Sequence, residues 1–138
     1  MKPNKYHGLD MHSLTNIILQ SDPELWEKTC NGVGSTVGTW WQRWLYHVTP
    51  NTIWGLDITP ASDIHDVEYT YPDTFSSRNC AETWREAADW RFLSNCYRLI
   101  ERGWPWLRPV RRARALAYYH ILRAQGERSF MASKTIGE

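Results

Sequence analysis

Ionisable side chains crowd the string Ile64-His65-Asp66-Val67-Glu68-Tyr69. On a helix His65 and Tyr69, four residues apart, share a face, while Asp66 is rotated from them by about 100°. One helix could thus present an imidazole base in one direction and a metal-ligating carboxylate in the next. Taken alone, the same dipeptide more often marks a solvated helix surface. Two other stretches bear on the choice. Cys30-Asn31-Gly32-Val33-Gly34-Ser35 has two glycines one residue apart, which let the backbone turn and point main-chain oxygens inward, and calcium is a hard ion that takes oxygen ligands. Asp89 stands beside Phe92 and Leu93, so its carboxylate is expected to be half-buried and to need a partner. That partner is either His65 on a facing helix, whose tautomer Asp89 would fix, or Arg85 four residues back. Tyr69 either donates its hydroxyl to the same carboxylate or belongs to the core. Glu68 is expected to face water.

Helices must position these groups. Residues 1–11, with Pro3 and Gly8, read as an N-terminal arm. The spacing predicts a short helix from Ser13, capped by Ser13 and packing Leu14, Ile17 and Ile18. A second starts at Ser21 or Asp22, with Pro23 early in it and Leu25 and Trp26 as its apolar contacts. A helix beginning at Ser62 or Asp63 and ending before Pro72 carries the His-Asp string. From about Ser77 to Arg102 the chain has no Gly or Pro and sets Trp84, Ala88, Phe92, Cys96 and Leu99 three and four apart, which predicts one long helix ended by Gly103. Trp104 to Pro109 reads as a stiff connector. A final helix over 109–125 is closed by Gly126, and 127–138 is a loose tail. Strands have little support.

The expected architecture is therefore all-α: one domain over 1–138, with a helical core over 12–126. Its 138 residues suffice for a single core, and 42% hydrophobic with 22% charged residues is a globular balance. No run is long and apolar enough to cross a bilayer, and the N-terminal text lacks the apolar core of a secretory signal. Cys30, Cys80 and Cys96 are odd in number, and Cys80 and Cys96 on one helix would stand about 24 Å apart, so free thiols in a cytoplasmic setting are expected. The chain has no Walker loop, Gly-x-Ser-x-Gly, His-Glu-x-x-His or paired Cys-x-x-Cys. His7, His12, His47 and His120 are isolated and read as surface or satisfied residues.

His65-Asp66-x-x-Tyr69, preceded by the Cys30-to-Gly34 turn and followed by Asp89 on a second long helix, resembles the phospholipase A2 superfamily in its reduced viral and phage form. The likeness covers three patches within residues 30–97. It implies two antiparallel long helices, with a C-terminal basic helix added here, and calcium-dependent phospholipid ester hydrolysis. His65 would deprotonate the attacking water, Asp89 would orient the imidazole, and Tyr69 would support that pair. Asp66 with main-chain oxygens of Cys30, Gly32 and Gly34 would hold Ca2+. Ser62 and Glu68 stand where the secreted enzymes have cysteines, and 31 residues separate Gly34 from Asp66, a longer insertion than those enzymes show. The texts ADWRFL and YYHILRAQG are also similar to small phage proteins of unknown activity that share the His-Asp helix.

The net charge of +1 hides a division: residues 1–97 carry 7 Lys/Arg against 12 Asp/Glu, and residues 98–138 carry 9 against 3. Trp40, Trp41, Trp44, Trp104 and Trp106, beside Arg108, Arg111, Arg112 and Arg114, suit a phospholipid surface that is also the substrate. The two tryptophan clusters equally suit the core of a small disulfide-free helical domain, and the same surfaces suit a host protein, for a non-catalytic phage-type interaction protein in which His65 and Asp89 form a structural pair. Trp84 and Trp90 read as core. The pI near 7.8 argues against nucleic acid as a dedicated partner. The expected location is the cytoplasm of a host cell, or the periphery of its membrane.

Overall fold

The computed structural model describes residues 5–30, 52–53 and 56–137. Within them the protein is mostly helical, with α1 (Ser13–Ser21), α2 (Pro23–Cys30), α3 (Thr59–Thr70), α4 (Arg78–Glu101) and α5 (Arg108–Ala132). A 3-10 turn over Pro105–Leu107 joins α4 to α5. Two minimal ladders accompany the helices, in keeping with the little support that the sequence gives to strands. Thr52–Ile53 (β1) pairs antiparallel with Leu56–Asp57 (β2), and Thr74–Phe75 (β3) pairs parallel with Thr135–Ile136 (β4). Among the described residues no helix is long and apolar enough to cross a membrane.

Helix α3 occupies the centre. Every residue from Pro60 to Tyr69 is buried, so its polar side chains cannot be left to water and need partners within the fold. Ile58 and Ala61 at its start join Phe92, Leu93, Cys96, Leu99 and Ile100 of α4 and Ala115, Tyr118 and Leu122 of α5 in the main apolar cluster. Ile64 and Val67 meet Tyr6 and Trp26 on another side. Tyr69 meets Phe75, Ala81, Ala88 and Phe130 at the far end. Each such large side chain withdrawn from water contributes about 1.5–3 kcal/mol, which is why the helix is held from three directions. It begins at Thr59 rather than Ser62 or Asp63, because Pro60 fits the first turn, where no intrahelical donor is required.

Several boundaries depart from the expectations. The cap of α1 is His12, whose Nδ1 accepts from Leu14 N at 3.1 Å, and not Ser13. Leu14 and Ile17 are exposed, and Thr15 is the buried residue of that helix. Asp22 does cap α2, accepting from Leu25 N. The N-terminal arm is docked over residues 5–11: Tyr6 is buried, Asp10 N donates to Asn95 Oδ1 at 2.6 Å, and Arg98 and Arg102 donate to the carbonyls of Gly8 and His7. The tail is not loose. Gly126 lies inside α5, Phe130 is fully buried, and Lys134 Nζ donates to the carbonyls of Tyr69, Thr70 and Pro72 at 2.6, 3.0 and 2.8 Å. Those carbonyls include the end of α3, where helical acceptors run out of intrahelical donors. Cys30, Cys80 and Cys96 are free thiols.

Candidate functional site

The site is assembled from three helices. His65 of α3 places Nε2 2.8 Å from Asp89 Oδ1 on α4, and Tyr69, one turn further along α3, donates its hydroxyl to the same oxygen at 2.7 Å. The imidazole and phenol rings lie 4.2 Å apart, and Phe92 packs edge-on against His65. Both sequence alternatives for Asp89 are realised together, since its second oxygen, Oδ2, faces Arg85 Nη1 at 3.4 Å and Arg123 Nη1 at 2.9 Å. Glu82 closes the network by accepting from Arg85 Nε and Nη2 and from Arg123 Nη2. Two carboxylates thus face two guanidiniums.

Burial works against the charge on Asp89, but hydrogen bonds from His65, Tyr69 and Arg123 outweigh it and hold the carboxyl below its usual range. Glu82 is lowered in the same way, its partial burial outweighed by Arg85 and Arg123. Tyr69 shifts the other way: burial, and then the adjacent Asp89 charge, push its phenol well above the ordinary value. Its hydroxyl therefore stays protonated and remains a donor to Asp89. The phenol fits because Gly126 lies opposite it, where a Cβ would come within 2.8 Å of Tyr69 Oη. Arg123 and Gly126 both come from α5. Nothing local in the sequence links them to the His-Asp string, although the Glu82-Arg85-Asp89 spacing is itself legible as helical ion pairing.

Asp66 differs from the other acids of α3. Asp63 accepts from Tyr6 Oη at 2.8 Å and pairs with Lys5 Nζ at 2.9 Å. Glu68 was expected to face water, but it is fully buried and ion-paired to Arg91, with Thr15 Oγ1 and His12 N also donating to it. Its place on α3 aims it at α1 and α4 rather than at solvent. Asp66 is buried, yet among the described residues its carboxylate has no hydrogen-bond or ion-pair partner. Burial first, and then the charge of Asp63, push its pKa well above the carboxylate range. Cys30 lies nearby at the end of α2, its Sγ 3.8 Å from the Asp63 carbonyl. Burial and the charges of Asp63 and Asp66 raise its thiol. Gly32 and Gly34 lie outside the described residues.

A buried carboxyl raised in this way would give up its proton to a bound cation, and a hard oxygen donor beside a helix end rich in main-chain carbonyls is chemistry that calcium accepts. Among the described residues no three His, Cys, Asp or Glu side chains converge as a metal group. Main-chain oxygens would have to complete any such site.

The surface residues separate into two sets. Trp104 and Trp106 are 61% and 71% exposed and stack on each other with centroids 5.0 Å apart. Arg112 and Arg114 are exposed, and Arg108 is partly so, donating to the carbonyls of Glu101 and Gly103. Arg111 is not a surface residue. It turns inward and is buried, its guanidinium lying where a Cβ on Gly103 would meet it. Trp90, expected in the core, is 59% exposed and meets Tyr119 edge-on, whereas Trp84 is partly buried and donates Nε1–H to the Glu68 carbonyl at 2.7 Å. Trp40, Trp41 and Trp44 lie outside the described residues. No protein-family model matches this chain, and no curated protein or solved structure compared with it does either.

Proposed function

We propose that the chain is a phospholipase A2-like hydrolase that cleaves phospholipid esters with calcium as cofactor, α3 and α4 forming its antiparallel core. The observation that carries this reading is the convergence of His65, Tyr69 and Asp89, with Asp89 Oδ1 within 2.8 Å of both the imidazole and the phenol. With Nε2 engaged by Asp89, a proton taken from water would enter the ring at Nδ1. Asp89 holds the ring in that tautomer and stabilises the imidazolium once formed, and Tyr69 fixes the carboxylate's own orientation. Asp66, with main-chain oxygens of Cys30, Gly32 and Gly34, would hold the ion. Calcium bound there would polarise the ester carbonyl and offset the developing oxyanion charge.

The test is fatty-acid release from mixed phospholipid vesicles, with and without calcium, by the wild type, His65→Gln and Asp66→Asn. The reading expects calcium-dependent release by the wild type and loss in both variants, with calorimetric calcium binding retained by His65→Gln and lost by Asp66→Asn. Wild-type protein that neither binds calcium nor releases fatty acid would refute it.

A second reading is favoured by one observation: His65 is 1% exposed and Asp89 0%. A sealed pair suits a structural role in a non-catalytic interaction protein, and in that case folding would suffer in His65→Gln with no activity to lose.

A further inference from the structure

The outward face of α5 is built unlike the solvent face of an ordinary surface helix. Its inward side is fixed by Arg111, Ala115, Tyr118 and Leu122, buried at spacings of three and four. At about 100° per residue the opposite side falls to Val110, Ala113, Leu116 and Ala117, and all four are exposed. Over Val110–Ala117 this face is apolar where charge would be expected, and exposed polar side chains resume only further along, at His120, Glu127 and Arg128. Arg112 and Arg114 fall on either flank of the stripe. Trp104 and Trp106, stacked and exposed, lead into it across Pro105, and the 14 residues from Glu101 to Arg114 hold five arginines and one acid.

We propose that this face, from Trp104 to Ala117, is an interfacial anchor that seats on an anionic phospholipid surface. The pieces match the layers of such a surface. Indoles favour the headgroup level, small and branched apolar side chains the shallow acyl boundary, and arginines on the flanks reach lipid phosphates. Charge complementarity selects an anionic surface over a neutral one. Single-stranded nucleic acid fits less well, because the two indoles cover each other and a base would have to part them, and because exposed Val110 and Leu116 offer a phosphate backbone nothing. Asp89 lies twelve residues before the end of α4 at Glu101, about 18 Å along the helix, so the anchor does not depend on the hydrolase reading.

The experiment is co-sedimentation of the full chain with vesicles of equimolar phosphatidylglycerol and phosphatidylcholine, and with phosphatidylcholine alone, in chelator so that no hydrolysis is read. The anchor predicts binding to the anionic vesicles. Arg112→Ala with Arg114→Ala should weaken it by up to roughly thirtyfold, about fivefold per arginine, with the smaller share from Arg112 because Glu101 already pairs with it. Trp104→Ala with Trp106→Ala should weaken it by about tenfold or more. Ile17→Ala, an equally exposed apolar residue on α1, should leave it unchanged. Circular dichroism checks that each variant is folded. Absence of wild-type binding to anionic vesicles overturns the proposal, as does equal binding by all variants. So does binding of a single-stranded oligonucleotide, without vesicle binding, that these substitutions abolish.

Discussion

Gly126→Ala should reverse its effect on stability according to whether residue 69 carries a hydroxyl. Gly126 lies within α5, where alanine is favoured over glycine by about 0.5–1 kcal/mol, so propensity alone predicts stabilisation. The added Cβ would stand 2.8 Å from Tyr69 Oη, inside contact distance, while Arg85 Nη1 and Tyr69 Cε2 at 3.5 and 3.6 Å are ordinary neighbours. The hydroxyl cannot swing aside freely. Its ring is packed against His65 and Phe130, with centroids at 4.2 and 4.9 Å, and it donates to Asp89. Displacing it from a carboxylate forfeits about 1.5–3 kcal/mol, which exceeds the propensity gain and leaves a net loss of about 1–2 kcal/mol. In a Tyr69→Phe background the obstructing atom is gone, and the same substitution should be neutral or stabilising by up to about 1 kcal/mol. Urea unfolding of the four proteins gives the coupling as a double-mutant cycle. An effect of Gly126→Ala with the same sign and size in both backgrounds would refute the contact logic of the site.

The rest of the buried network makes further commitments. Asp89→Asn should cost about 3–5 kcal/mol at neutral pH by leaving Arg85 and Arg123 undercompensated. Because the folded carboxyl of Asp89 is held low, its contribution is fully present above the unfolded value near ~3.9 and fades as pH falls through the folded one, so the gap between wild type and variant should narrow only below about pH 4 in acid unfolding. Glu68→Gln should cost a similar ~3–5 kcal/mol in urea unfolding, since Arg91 loses its carboxylate partner at a fully buried position. Lys134→Met should destabilise by about 1–3 kcal/mol and raise amide hydrogen exchange at the end of α3, because three carbonyls lose their common donor.

What the sequence disclosed depended on how locally each feature is encoded. The long helix over Arg78–Glu101 was legible because apolar residues at three- and four-residue spacing run through it, Ser77 caps its start and Gly103 follows its end. Helical periodicity made it legible that His65 and Tyr69 share a face, but not whether Asp89 would meet that face or Arg85 on its own helix. Burial all round α3 was not legible. That helix is polar enough to read as half-solvated, and only partners brought by the N-terminal arm, α1 and α4 let Asp63 and Glu68 go inside. The reach of α5 past Gly126 was hidden too, because a glycine near a basic helix end signals a stop, whereas here it makes room for a phenol from another helix. Arg111 and Arg112 are adjacent in sequence, yet one turns inward beside Gly103 and the other pairs with Glu101 at the surface.

Whether His65 activates a water that attacks a phospholipid ester in the presence of calcium is decided by mass analysis of the products formed in 18O-enriched water. The expected result is calcium-dependent release of fatty acid carrying one 18O in its carboxylate, unlabelled lysophospholipid, and neither product from His65→Gln. Folded wild-type protein that binds vesicles yet releases no labelled acid at any calcium concentration would contradict it, leaving His65 and Asp89 as a structural pair.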